Sequence, residues 1–259
     1  MENRKKTKAE VTHIVSLSEG IFSMWIKEEN VASGAVPGQF VSLYSDDGSR
    51  LLPRPISICE CKKEEGLVRL VFRIAGKGTK EFSRLMPGDT VEVLGPLGNG
   101  YHMEGKKVLL FGGGIGIAPM LFLARKLSEQ GVQVQTVLGY RGGSLFLKEE
   151  FEPYGAVYVA TEDGSAGVKG NVLNAADELG LNGDAIYACG PTPMLRGIKE
   201  YGAKKNIPVQ ISLEEKMACG IGACLACVCQ SKEKDAHSNV NNKRICKDGP
   251  VFYADEITL

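Results

Sequence analysis

Short apolar stretches dominate the first part of the chain: Val11–Leu17, Ile21–Ile26, Phe40–Tyr44, Pro55–Cys61, Leu67–Ile74 and Val91–Leu94. Turn formers separate them, among them Ser33-Gly34, Asp46-Asp47-Gly48 and Pro87-Gly88. No helical period long enough for a crossover intervenes, so residues 9 to 100 predict a six-stranded antiparallel barrel. The pattern changes after Gly100. Val108–Phe111 is a continuous apolar run, as a strand buried on both faces requires. A glycine turn and a helical segment from Pro119 to Gln130 follow, and the strand signal returns at Val132–Leu138, Ala156–Ala160 and Ala185–Cys189. Strands alternating with helices predict a parallel sheet, with Val209–Leu213 as its last strand. From Glu214 the chain turns rich in Cys and Gly, then polar over Ser231–Asn242, as in a small appendage held by something other than a core. The expected fold is multi-domain, β followed by α/β, with boundaries at 1–102, 103–212 and 213–259.

Composition narrows the class. Of 259 residues, 43% are hydrophobic and 24% charged, as in ordinary globular proteins. Lys+Arg and Asp+Glu balance at 31 each, which gives no reason to expect a nucleic acid or an anionic membrane as partner. No apolar run approaches the roughly 18 residues of a spanning helix. The charged start, Met1 to Lys6, is followed by no apolar segment, so no signal peptide is expected. Five of eight cysteines lie between Cys219 and Cys246, and clustered thiols in a reducing cytoplasm more often serve a metal than a disulfide.

Cys219, Cys224 and Cys227 follow C-x4-C-x2-C spacing, with Cys246 beyond a polar stretch. This is the plant-type [2Fe–2S] pattern. Three thiolates converging from one short loop need a tightly wrapped backbone, which Gly220 and Gly222 permit. Zinc prefers two paired knuckles, and only Cys224 and Cys227 pair that way. Cys229 lies where an emerging strand turns its side chain away, and is read as a packed thiol.

Four glycines in five residues, Gly112, Gly113, Gly114 and Gly116, join the first buried strand to its helix. Such a turn lets backbone approach a pyrophosphate, and Pro119 fits a first helical turn. The run is out of register with G-x-G-x-x-G, so an ordinary Rossmann dehydrogenase is a poor fit. A bare structural turn needs fewer glycines, so a nucleotide site is favoured. Thr161–Ser165 and Cys189–Met194, with Gly190 and Pro191, end later strands where α/β sheets bind ligands. In the β region, Arg54 and the turn Gly76–Thr79 could together hold a pyrophosphate, whereas Arg54 alone reads as a solvated surface cation.

The whole order resembles the ferredoxin–NAD(P)H reductase superfamily. Arg54-Pro55-Ile56-Ser57 is similar to its R-x-[YF]-[ST] flavin motif, and Gly112–Pro119 to its GGG-x-G-x-x-P nucleotide motif, with Cys189-Gly190-Pro191 as the later C-G-P. The segment Ser212–Cys224 looks like the electron-transfer subunits of NAD-dependent dihydroorotate dehydrogenase B. The resemblance implies FAD on a barrel at 1–102, NAD on the α/β part at 103–212 and a [2Fe–2S] domain at 213–259. It places FAD at Arg54, Pro55, Ile56, Ser57, Val71, Phe72, Arg73, Gly78 and Thr79. It places NAD against Gly113, Gly114, Gly116, Cys189 and Gly190, and the cluster on Cys219, Cys224, Cys227 and Cys246. Ile56 stands where an aromatic residue often stacks on the flavin.

The implied function is electron transfer between NAD and an FMN-containing dihydroorotate dehydrogenase catalytic subunit, in a heterotetramer serving pyrimidine biosynthesis. No side chain need act as acid or base. His13, His102 and His237 show no catalytic grouping. Arg141 hints at NADP, but Glu162 and Asp163 make the next strand end acidic and favour NAD. The competing readings are the small subunit of another flavin–iron–sulfur enzyme, such as NADH-dependent ferredoxin:NADP reductase, and a zinc-stabilised binding module without redox activity.

Overall fold

The computed structural model describes residues 5–234 and 239–259; His237 and the first four residues lie outside them. The barrel strands are β1 (Thr7–Ser18), β2 (Ile21–Lys27), β3 (Phe40–Tyr44), β4 (Arg54–Lys62), β5 (Leu67–Arg73) and β6 (Thr90–Leu97). They close in the order β1-β2-β5-β4-β3-β6, all antiparallel. Closure depends on the length of β1, which pairs with β6 over Thr7–Glu10 and with β2 from Glu10 on. Val11, Met24, Leu43, Ile58, Leu70 and Phe72 fill the interior. Two helices of six residues each interrupt the strands, α1 (Glu29–Gly34) and α2 (Lys77–Phe82). They are too short for the apolar periodicity that marks a helix in sequence. The Glu28 carboxylate caps α1 by accepting from the Val31 N–H at 2.6 Å.

The second unit runs β7 (Lys107–Gly113), α3 (Ile117–Glu129), β8 (Gln133–Tyr140), α4 (Lys148–Phe151), β9 (Ala156–Thr161), β10 (Val168–Lys169), α5 (Val172–Glu178), β11 (Ala185–Cys189), α6 (Thr192–Lys205) and β12 (Val209–Ser212). The continuous apolar run of β7 reflects its central place, flanked in parallel by β8 and β11. Helix α3 is buried on nearly all sides, because one face lies on the sheet and the other on the barrel: Phe122 belongs to the barrel core. Arg125 on this helix donates to the Cys61 carbonyl of β4 at 2.8 Å. Arg69 of β5, 7% exposed, pairs with Glu150 of α4 through both guanidinium nitrogens. These contacts fix the barrel against the sheet.

The C-terminal segment departs from expectation. After the hairpin β13 (Val228–Gln230) and β14 (Asn242–Arg244), the strand β15 (Val251–Tyr253) pairs antiparallel with β12. The sheet order is therefore β10-β9-β8-β7-β11-β12-β15, and β12 is its last parallel strand but not its edge. Ile245, Cys246, Phe252 and Ile257 share one core with Ile211 and Val209. The segment is thus seated in the α/β core as well as around its cysteines. Among the described residues no helix is long and apolar enough to cross a membrane.

Candidate functional site

The strand order reverses between β7 and β11, and an open α/β sheet leaves a crevice at such a point. The barrel faces this crevice and turns it into a cleft of about 1050 Å³. The barrel wall carries Arg54, Pro55, Ile56, Ser57, Val71, Phe72, Arg73 and Thr79; the sheet wall carries Gly116, Cys189 and Gly190. Eleven of the fourteen residues expected to contact FAD or NAD thus line one space. The exceptions are glycines. Gly78 lies beneath the Arg54 guanidinium, where a β-carbon would fall 2.6 Å from Nε. Gly113 packs on Met194, and Gly114 faces open space.

Arg54, Arg73, Lys77 and Arg50 line the barrel side of the cleft, Arg50 being paired with Asp47 and Glu81, while Glu214, Glu215 and Lys216 lie on the third wall. Arg54 is pre-aimed, since its guanidinium donates to the carbonyl oxygens of Leu52 and Pro53. The Thr79 hydroxyl accepts from the N–H of Ala75 at 2.9 Å and of Gly76 at 3.2 Å, holding the turn that lays Gly78 under Arg54. A cationic side with a pinned backbone turn fits a pyrophosphate. The middle of the cleft is apolar, with Ile56 and Phe72 buried in its wall, and fits a flavin ring.

Gly116 decides how the two strand-end turns meet. A β-carbon there would fall 2.5 Å from the Cys189 carbonyl oxygen and 2.7 Å from the Gly190 nitrogen, both backbone atoms. Gly116→Ala is expected to lower stability by about 1–3 kcal/mol, the usual cost of overpacking, read as a lower urea midpoint, and to weaken NADH binding. An unchanged midpoint would mean that the turns separate without cost. The Cys189 thiol is 9% exposed. Burial, helped by the Glu214 charge, pushes it up to about 12, so at neutral pH it is a thiol and not a nucleophile. His102 stacks on Tyr253 outside the cleft lining.

The third wall is Ser212–Met217, part of the segment that carries the resemblance but not expected to line the cofactor cleft. The signal for its place in the cleft was position: a chain running from the end of β12 to Cys219 passes the strand ends. Leu51 and Leu52 at the rim, 84% and 53% exposed, were also not anticipated.

Two residues beyond the third wall the cysteine loop begins. Gly220 and Gly222 have φ of +70° and +84°, and this left-handed backbone turns N–H groups inward. Those of Ile221, Ala223 and Cys224 point at Cys219 Sγ at 3.5, 3.3 and 3.4 Å. The Gly222 N–H points at Cys246 Sγ at 3.1 Å, and the Cys246 N–H at Cys227 Sγ at 3.4 Å. Burial pushes the Cys219 thiol up, but the N–H groups of Ile221, Cys224 and Ala223 outweigh it and bring it down to about 6. Burial and the neighbouring Cys227 thiol push Cys246 up. Cys224 lies beside Cys219 and Cys227 beside Cys246, and Cys219 is near enough to Cys246 to act on its charge. Four cysteine sulfurs gathered under converging N–H groups fit a [2Fe–2S] cluster. Cys229 is half-buried in β13, donating to the Lys243 carbonyl at 3.5 Å, outside that set of four.

Comparison with known proteins follows the same division. Residues 7–101 match the oxidoreductase FAD-binding domain and residues 110–200 the oxidoreductase NAD-binding domain. Residues 214–258 match the iron–sulfur cluster binding domain of dihydroorotate dehydrogenase B. The dihydroorotate dehydrogenase B (NAD(+)) electron transfer subunit of Caldanaerobacter subterraneus is 45% identical over 222 residues, 85% of this chain and 86% of its own. That of Bacillus caldolyticus is 42% identical over 249 residues, 94% and 95% of the two chains. The chain belongs to the dihydroorotate dehydrogenase B electron transfer subunits. Members of this family with this domain order are oxidoreductase components carrying FAD-, NAD- and iron–sulfur-binding domains, as this chain does. The fold is also that of the solved NADH-dependent reduced ferredoxin-NADP oxidoreductase, with TM-score 0.87 at 34% identity over 100% of this chain and 91% of that one.

Proposed function

We propose that the chain carries electrons between NAD and an FMN-containing dihydroorotate dehydrogenase catalytic subunit, in a cytoplasmic heterotetramer of two subunits of each kind. The observation that carries this reading is the continuity of cleft and cysteine loop. Met217 lines the cleft, Cys219 follows two residues later, and Gly220 packs on the barrel strands at Ser42 and Leu97. The two sites therefore share a wall, as short-range electron exchange requires.

In this reading Arg54, Gly78 and Thr79 hold the FAD pyrophosphate, and Pro55, Ile56, Ser57, Val71, Phe72 and Arg73 form its bed. Gly116, Cys189 and Gly190 receive the nicotinamide nucleotide from the sheet side, with Gly113 and Gly114 shaping the turn beneath. Cys219, Cys224, Cys227 and Cys246 ligate the cluster. Bound there, FAD supplies hydride exchange with nicotinamide and the [2Fe–2S] cluster supplies one-electron exchange. The chain's own residues position and exclude water: Cys189 stays protonated, and among the described residues no histidine lines the cleft. A partner surface is supported by the apolar groups around the cysteine loop. Ile221, Leu225 and Val228 are 53%, 58% and 40% exposed, a cluster unlike scattered surface residues. Eight cysteines without a disulfide fit a reducing compartment.

The test is isolation of the native complex with identification of its flavins. FMN in a co-purifying subunit with dihydroorotate activity is expected, and a complex lacking both would end this reading. The second reading, an NADH-dependent ferredoxin:NADP reductase subunit, is favoured by the 34% identity to that structure. It predicts a different partner and no dihydroorotate oxidation.

A further inference from the structure

Ser42 lies on β3, with Pro55 of β4 and Leu94 of β6 as its cross-strand neighbours. Val41 and Leu43 point into the barrel, so by strand alternation Ser42 faces outward with Phe40. It is not on the surface. Its residue is 1% exposed, and its hydroxyl has no hydrogen-bond partner among the described residues. A buried hydroxyl left unbonded is costly, so one that persists calls for a ligand or another explanation.

The group covering it is the cysteine loop. A β-carbon on Gly220 would fall 2.8 Å from Ser42 Oγ, so only the absence of a side chain there lets the loop settle over the hydroxyl. Gly220 follows Cys219, whose sulfur already gathers three N–H groups. Leu97 is the other barrel atom met by that position, and Phe40, Leu97, Cys227 and Cys246 share one core. The surroundings of Ser42 Oγ are thus apolar apart from the sulfur-bearing loop. A serine kept only for its small size would be served equally by alanine, without the cost of burying a hydroxyl.

We propose that Ser42 donates a hydrogen bond to a sulfide of the iron–sulfur centre, since no cysteine sulfur of the chain lies within its reach, and thereby raises the centre's reduction potential. Donors to cluster sulfurs stabilise the reduced, more negative state. The residue sits on the strand adjacent to β4, so the barrel that forms the cleft also reaches the centre. The inference rests on the ligand set proposed above.

The experiment is a redox titration of the full chain, loaded with FAD and cluster, followed by the electron paramagnetic resonance of the reduced centre. Ser42→Ala is expected to shift the one-electron equilibrium about tenfold toward the oxidised centre, about 59 mV downward, with iron and flavin content unchanged. Because truncation can disturb the loop, Ser42→Thr and Ser42→Val form a second pair, alike in shape and differing in the hydroxyl. The threonine chain is expected to hold a higher potential than the valine chain. Equal potentials in that pair, or loss of cluster content without a potential shift in Ser42→Ala, would overturn the inference. Absence of any [2Fe–2S] signal in the unsubstituted chain would instead overturn the ligand reading on which it rests.

Discussion

Cys224→Ser is expected to leave reduction of the bound flavin by NADH intact while cutting electron delivery to the catalytic partner by at least about 100-fold. Changes to groups that merely support metal ligands already cost about 10–100-fold, and loss of a ligand exceeds that. The separation of the two effects comes from placement. Cys224 is exposed at the tip of the loop and does not line the cleft, so the nicotinamide and flavin positions are untouched. Its sulfur lies beside Cys219, and serine removes one of the four thiolate donors. Stopped-flow bleaching of the flavin measures the first half. Reduction of the catalytic partner, with iron and sulfide assays, measures the second. Partner reduction at the unsubstituted rate would mean that electrons bypass the cysteine loop. Cysteine-bound zinc at one equivalent, instead of iron and sulfide, would return the chain to the binding-module reading.

The second large effect concerns Arg54. Arg54→Ala is expected to weaken FAD binding by roughly 10–100-fold, because hydrogen bonds to charged groups contribute about 1.5–3 kcal/mol and each 1.4 kcal/mol is a factor of ten. The full effect is expected because the guanidinium is already held by the Leu52 and Pro53 carbonyls and laid across Gly78. Binding therefore spends little entropy on ordering it. Arg54→Lys should recover only part of the loss, since an ammonium cannot present a planar fork to a phosphate. Flavin fluorescence titration of the apo chain reads both variants. Unaltered affinity in Arg54→Ala would remove this residue from the site and transfer the pyrophosphate to Lys77 and Arg50 on the same side of the cleft.

These expectations rest on features of unequal legibility. The six barrel strands were readable because each carries its own apolar run and turn formers, a signal confined to a few neighbouring residues. β7 was readable because a strand buried on both faces has no polar positions to interrupt it. The short helices α1 and α2 were not, since six residues hold fewer than two turns of period. β15 was also hidden. Val251–Tyr253 is three residues long and becomes a strand only because β12 offers it an open edge. For the same reason the C-terminal segment read as a coreless appendage, although Ile245 and Ile257 are fully buried beside residues of the α/β unit.

The candidate site divides in the same way. Arg54 through Ser57, the glycine turn and the cysteines are motifs because a cofactor demands particular side chains at short spacing. Gly113 and Gly114 belong to such a motif yet do not line the cleft. Spacing marks the turn as a whole, whereas packing against Met194 and Cys189 decides which of its glycines faces the cavity. The place of Ser212–Met217 in the cleft wall and the burial of Ser42 carry no motif, because both come from what lies across from them.

The sequence by itself determined the metal chemistry, the order of units and the family, since ligand spacing and apolar periodicity are properties of consecutive residues. The gathering of the four sulfurs, the common wall between cleft and cysteine loop, and the buried hydroxyl of Ser42 beneath Gly220 were decided by tertiary structure alone. Each joins residues separated by anything from 5 to 178 positions. Which of them meet is set by closure of the barrel and by the edge that β12 leaves for the returning chain.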